Sequence, residues 1–155
     1  MSDMAIIDGR TWMEHLSAET CWELLDATPV GRVVVTVEGA PEVYPVNFVV
    51  DERSVAFCSA PGSKLRGLER FPTTCFEADV IDPDAHTGWS VMVKGRAVDV
   101  TRPDERSRLT SMPLTIWTAG VKDHWVRIRP TEVTGRRIHS IATPQVGEAR
   151  EEPRA

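Results

Sequence analysis

The spacing of apolar positions changes character once near the start of the chain. Between Ser17 and Asp26 they fall at Cys21, Leu24 and Leu25, with Trp22 beside them, which is the period of a helix with one buried face. Ser17 is a suitable N-cap, and Thr28 with Pro29 ends the helix. From Gly31 onward the pattern is that of strands. Arg32 to Val37 is β-branched almost throughout, Glu38 to Ala40 reads as a turn, and Glu42 to Val50 reads as a second strand, so the two predict a hairpin. Pro41 and Pro45 lack an N–H for the ladder, which places this strand at an edge or bulges it near Pro45 and leaves the Asn47 amide free for another partner. Ser54 to Ser59, after the turn at Asp51 to Arg53, completes an antiparallel meander.

Pro61 and Gly62 then break the pattern, a short helix opens at Ser63 and Lys64, and Pro72 stops it. Further strands are expected over 74–81 and 89–100, separated by the turn-rich stretch Asp82 to Gly88. Gly95, in the middle of the longer strand, marks a bulge or sharp bend. Pro103 opens a helix over 104–112, Pro113 stops it, and Ile116 and Trp117 lie in the connection that follows. The stretch 124–129 and, after Pro130, residues 132–139 supply the closing strands. Residues 1–16 form a lead-in without a clear period, 17–142 the domain, and 143–155 a charged tail expected to be disordered. Six or seven strands with two or three peripheral helices predict a mainly β fold closed into a small antiparallel barrel.

Composition removes several functions. With 155 residues, 41% hydrophobic and 26% charged, the chain has the makeup of a single globular domain. A net charge of −5 gives no basic face for a polyanion, so nucleic acid is not an expected partner. No apolar run reaches the length of a membrane span, and the first residues lack the layout of a signal peptide, so the expected location is the cytoplasm. Cys21, Cys58 and Cys75 are odd in number, far apart and set among apolar neighbours, as reduced core thiols are. The four histidines show no metal-ligand spacing, and no Gly-x-Ser-x-Gly occurs, so neither a metal site nor serine hydrolysis is expected.

What remains is the opening of the helix at Ser63 and Lys64. Unpaired N–H groups, the positive end of the helix dipole, a hydroxyl and a cation together suit a phosphate. The glycine and hydroxyl spacing of an ATP loop is missing. A capping serine beside a solvated lysine is the plain alternative.

The order of Pro29 to Arg32, Pro45 to Phe48, Gly62 to Leu65, Phe76 to Asp79 and Gly88 to Arg96 resembles the pyridoxamine 5′-phosphate oxidase-like, FMN-binding split β-barrel proteins of Greek-key type. Trp125 to Pro130 and Gly135 to Arg137 are similar to the closing strands of that group, and the likeness spans about residues 17 to 140. The resemblance implies a homodimer with FMN in the subunit interface and the flavin phosphate on Ser63 and Lys64. It also implies that Pro45, Val46 and Asn47 and the strand Phe57, Cys58 and Ser59 flank the isoalloxazine, with Trp89 and Ser90 approaching from the other side or from the other subunit. The chemistry so implied is oxidation or reduction of a small molecule by hydride transfer, with the flavin reacting and no protein acid or base required. Two variants share the fold: a reductase using the deazaflavin F420, and a non-catalytic protein that holds flavin or a haem-type ligand. The full arginine and lysine set of the vitamin B6 enzymes is not matched, and Phe57 and Cys58 stand where nitroimidazole-reductase-like relatives tend to carry a histidine.

Overall fold

Helix α1, Ala18–Asp26, forms where the periodicity places it: the Ser17 hydroxyl accepts from the Thr20 amide at 3.2 Å, and Cys21, Trp22 and Leu25 are buried. The computed structural model describes residues 6–8, 11–117 and 122–140, so the tail expected over 143–155 lies outside them. The strands are β1 (Ile6–Asp8), β2 (Met13–Leu16), β3 (Val30–Val37), β4 (Ala40–Asn47), β5 (Val49–Asp51), β6 (Ser54–Ser59), β7 (Thr73–Asp82), β8 (Thr87–Asp99) and β9 (His124–Ile138). Two more helices, α2 (Ser63–Arg70) and α3 (Pro103–Ser111), complete the described elements.

All the ladders are antiparallel, in the order β1-β2-β9-β8-β7-β3-β4, with β6 joined to β9 and β5 to β6. The hairpin of β3 and β4 turns through Glu38 (φ 50°) and Gly39 (φ 80°), the left-handed pair that a two-residue connection requires. Among the described residues β4 has a ladder on one side only, which is how it accommodates Pro41 and Pro45.

The described strands number nine, not six or seven. β1 and β2 are three and four residues long, too short to show a period in the sequence, and they are held by pairing, β2 with β9 and β1 with β2. The strand expected over 42–50 is divided at Phe48, so that β4 pairs with β3 while β5 pairs with β6. The expected closure into a barrel is not made by hydrogen bonds among the described residues. Among the described residues no ladder joins β4 to β6, and the sheet is left as an open path whose ends are linked by the chain itself through Phe48. The turn-rich stretch 82–88 is shorter than expected as a loop: Asp82 faces Thr87 across a tight turn whose Asp84 and Ala85 amides bond the Asp82 carboxylate.

β9 is continuous through Pro130, where the sequence suggested a break. Lys94 faces Glu132 and Gly95 faces Pro130, so Thr131 is the extra residue of a bulge that absorbs the missing proline N–H. A Cβ on Gly95 would lie 2.1 Å from the Arg129 carbonyl oxygen, which is why only glycine fits opposite the bulge. β9 thus borders β8 along most of its length and, on its other edge, β6 at His124 to Ile128 and β2 at Gly135 to Ile138.

The main core gathers Leu25, Val33, Phe57, Phe76, Val91, Val93 and Ile128, with the Phe48 and Phe76 rings edge to face at 4.7 Å. A second apolar group, Val49, Ala56, Val100, Leu109 and Trp125, lies on the other face of β6 and β9 beneath α3.

Candidate functional site at the start of α2

The residue before α2 is Gly62, whose extended backbone brings no side chain to cap the helix. The Arg66 amide bonds back to the Gly62 carbonyl at 3.0 Å, so the amides of Ser63, Lys64 and Leu65 precede the first intrahelical bond. α1 carries a capping serine and Glu19 in its first turn, and α3 carries Asp104 and Glu105, whereas the first turn of α2 holds no acid. Ser63 is therefore the first helical residue and not the cap. Its hydroxyl lies 3.4 Å from that of Tyr44, which also bonds Glu42.

Lys64 is half-buried, with its ammonium 5.9 Å from the centre of the Tyr44 ring and 6.0 Å from that of Phe57. Burial first, and then the like charge of Lys122, hold its pKa below the ordinary lysine value. No carboxylate acts on it, and among the described residues it makes no ion pair. A half-buried cation beside uncapped amides at the positive end of a helix suits an anion.

The backbone beside this point is open. Among the described residues β5 pairs with β6 only as far as Ala56, so Phe57, Cys58 and Ser59 have a ladder to β9 on one edge and none on the other. Val46 and Asn47 are likewise laddered to β3 alone. β4 and β6 approach each other, and two partly unpaired backbone edges therefore lie across a gap from one another.

The side chains of the expected site residues are mostly occupied. Phe57 is fully buried in the core, Ser59 donates to the Ala60 carbonyl, and the Cys58 thiol donates to the Lys122 carbonyl at 3.1 Å. Burial, with Asp123 nearby, raises the Cys58 pKa and keeps it a thiol. Asn47 is not free as expected: its amide donates to the Pro29 carbonyl at 3.3 Å and accepts from the Trp117 amide at 3.1 Å. Pro45 is exposed and Val46 buried. Ser63, Lys64 and Phe57 are brought together, with Tyr44 and Lys122 added by the fold. No local pattern in the sequence pointed to those two, because they come from other elements.

Trp89 and Ser90 stand elsewhere. They face Arg137 and Arg136 near the end of β9 opposite to that where Phe57 faces Val126. Trp89 packs half-buried against the core there, next to exposed Val80, Ile81 and Ile138. One chain does not carry these two residues to the start of α2.

A second charged group went unread in the sequence. Arg127, with a side chain 7% exposed, donates to Glu105 and to the Asp51 carboxylate, each at 2.8 Å, and also to the Asp51 carbonyl and the Ser54 hydroxyl. Arg108 reaches the same Asp51 carboxylate at 2.7 Å. This network fastens α3 to β5, β6 and β9. Burial pushes the Asp51 carboxyl up, but the hydrogen bonds and charges of Arg127 and Arg108 outweigh it and leave the pKa below the ordinary value. A carboxyl lowered in the folded state contributes stability that is present above the unfolded value, about 3.9, and lost as pH falls through the folded one. The urea midpoint should therefore drop on acidification below about pH 4, and Asp51→Asn should flatten that part of the profile. An unchanged acid limb in the variant would remove Asp51 from the account.

The comparisons accord with this geometry. Residues 17–137 match the family model of pyridoxamine 5′-phosphate oxidase, and the chain belongs to that family. It is similar to an uncharacterized protein of Mycobacterium tuberculosis, 34% identical over 129 residues that cover 80% of this chain and 84% of the relative. Among solved structures it resembles the FAD binding protein from Mycobacterium smegmatis, with 38% identity, a TM-score of 0.67, and coverage of 80% of this chain and 97% of the other. A structure from Corynebacterium glutamicum, named for pyridoxamine 5′-phosphate oxidase, is 29% identical with a TM-score of 0.71 and coverage of 84% and 96%. Flavin binding is thus named for one of these solved relatives. Among the described residues no helix is long and apolar enough to cross a membrane.

Proposed function

We propose that the protein is a flavin-dependent oxidoreductase that seats the flavin's ribityl phosphate at the start of α2. The observation that carries this reading is the half-buried Lys64 ammonium, which has a second cation and no carboxylate acting on it beside uncapped helix amides. Ser63 and Lys64 would bind the phosphate, and the open edges of Val46 to Asn47 and Phe57 to Ser59 would bond the polar edge of the ring system. The bound flavin supplies hydride transfer to or from a small molecule. The chain's part is to fix the ring between β4 and β6 and to exclude water with the buried β6 side chains. The same arrangement completes a split barrel, with the flavin in the gap that no ladder closes.

Two copies of the chain complete the site in this reading. Trp89 and Ser90 then reach the ring from the second copy, and the exposed Val80, Ile81 and Ile138 next to Trp89 give the dimer an apolar contact. The FAD binding protein among the relatives supports a flavin over F420.

The test is titration of FMN, FAD and F420 into the purified protein, followed by fluorescence and then by anaerobic addition of NADPH. Micromolar or tighter flavin binding with bleaching of the flavin band supports the enzyme. Binding of F420 alone moves the protein to the deazaflavin reductases. A tightly held flavin that no nicotinamide or dithionite-linked donor turns over marks a carrier, and binding of none of the three overturns the reading.

A further inference from the structure

A cleft of about 460 Å³ opens where the start of α3 meets the turn between β5 and β6 and the middle of β9. Its size falls within the usual range of small-molecule sites, roughly 300 to 1,000 Å³. Five arginines line it against three carboxylates. Each carboxylate is already matched, Glu52 by Arg108 at 3.4 Å, Asp104 by Arg102 at 2.9 Å and Glu105 by Arg127 at 2.8 Å. Arg53 and Arg129 are left over. Among the described residues neither makes an ion pair or a side-chain hydrogen bond. The cleft thus holds a local excess of positive charge in a chain whose net charge is −5.

The surroundings do not relieve that excess. Arg129 lies directly across from Arg96 of β8, and like charges at opposed positions weaken a sheet unless something neutralises them. Arg53 holds a left-handed backbone, φ 54°, in a two-residue turn that Asn or Gly fits best, so the backbone gives no reason for an arginine there. Pro130 is the one apolar residue lining the cleft among the described residues, and no aromatic ring borders it. It therefore offers nothing for a base or a planar ring to stack on.

We propose that this cleft binds a compact small molecule carrying two or more negative charges, with its phosphate or carboxylate oxygens on the Arg53 and Arg129 guanidiniums. A guanidinium meets either oxyanion with two parallel N–H donors, which a lone lysine cannot do. Arg127 gives the cleft a fixed floor, because Asp51, Glu105 and Ser54 already take up its donors. The place is separate from the start of α2. β6 enters the cleft at Ser54, whereas the edge open to a flavin is Phe57 to Ser59 at the other end of the strand. Binding here does not depend on a flavin.

Inorganic pyrophosphate and citrate are titrated calorimetrically into the wild-type protein, the Arg53→Gln/Arg129→Gln double variant and Lys64→Ala, against sodium chloride of equal ionic strength. The expected result is a dissociation constant below about 1 mM for at least one of the two anions, weakened about 10-fold or more in the double variant and unchanged in Lys64→Ala. Pyrophosphate as the tighter ligand assigns the cleft to a phosphorylated metabolite, and citrate to a polycarboxylate. Without ligand the double variant should melt within about 2 °C of wild type, since neither arginine has a partner to lose. A larger fall shows that the arginines are bonded within the fold and overturns the site. No binding beyond the chloride control also overturns it, as does an affinity that the double variant keeps. Loss in Lys64→Ala alone puts the anion at the start of α2, which overturns the cleft and leaves the flavin reading standing.

Discussion

Replacing Arg127 by alanine is expected to lower the folding stability by about 3 to 5 kcal/mol, the usual result of removing one partner from a buried ion pair. For a chain of this length that is a fall in Tm on the order of 10 °C. The reason is in what stays behind. Asp51 and Glu105, with side chains 10% and 23% exposed, would keep their carboxylates in the interior, and Ser54 would lose its charged partner. Arg108 still bonds Asp51, which holds the loss below that of an isolated buried charge. The control is Arg102→Ala, whose pair with Asp104 is exposed on both sides, 75% and 68%, and whose removal should leave the urea midpoint unchanged. A loss under about 1 kcal/mol in the Arg127 variant would mean that water screens the network as it does a surface pair.

The second large effect is on binding. Lys64→Ala should weaken flavin binding about 10- to 100-fold, the equivalent of roughly 1.5 to 3 kcal/mol for a hydrogen bond to a charged group. Stability should not suffer, because folding places the Lys64 ammonium in a half-buried position beside Lys122 with no carboxylate to offset the burial. Riboflavin separates the two ways in which the lysine could act. It has the ring and the ribityl chain but no phosphate, so its affinity should be the same for wild type and variant. If riboflavin weakens as much as the phosphorylated flavin does, Lys64 acts through its stem on the Phe57 and Tyr44 rings and the phosphate assignment fails.

Where the chain signals itself locally, the sequence was readable. Ser17 capping α1, the turn at Glu38 and Gly39, the breaker at Pro61 and Gly62 and the bulge beside Gly95 each depend on a few adjacent residues whose backbone needs are specific. Pro130 was misleading for the same reason. Its missing N–H normally ends a strand, and only the long-range pairing of Lys94 with Glu132 reveals that Thr131 takes up the irregularity. The strands before Ser17 carry no period because their partner, not their composition, makes them. In the candidate site, Ser63 and Lys64 were legible from the helix opening, while Tyr44 and Lys122 reach it from β4 and from the segment before β9. Arg127 was legible only as one more polar residue on a strand. Its burial depends on α3 folding over it to deliver Glu105.

The position of β9 also sets the order of assembly. It is the only described strand that joins the hairpin of β1 and β2, the pair of β5 and β6, and the four-stranded group of β3, β4, β7 and β8. A nascent chain lacking residues 124–138 is thus three unjoined sheets with bare edges, however well each has formed. Such edges invite pairing with neighbouring chains, and contacts this distant in sequence close slowly. Until β9 is available the β6 and β8 edges stay bare, so the three pieces can form separately but join only when that strand pairs with them.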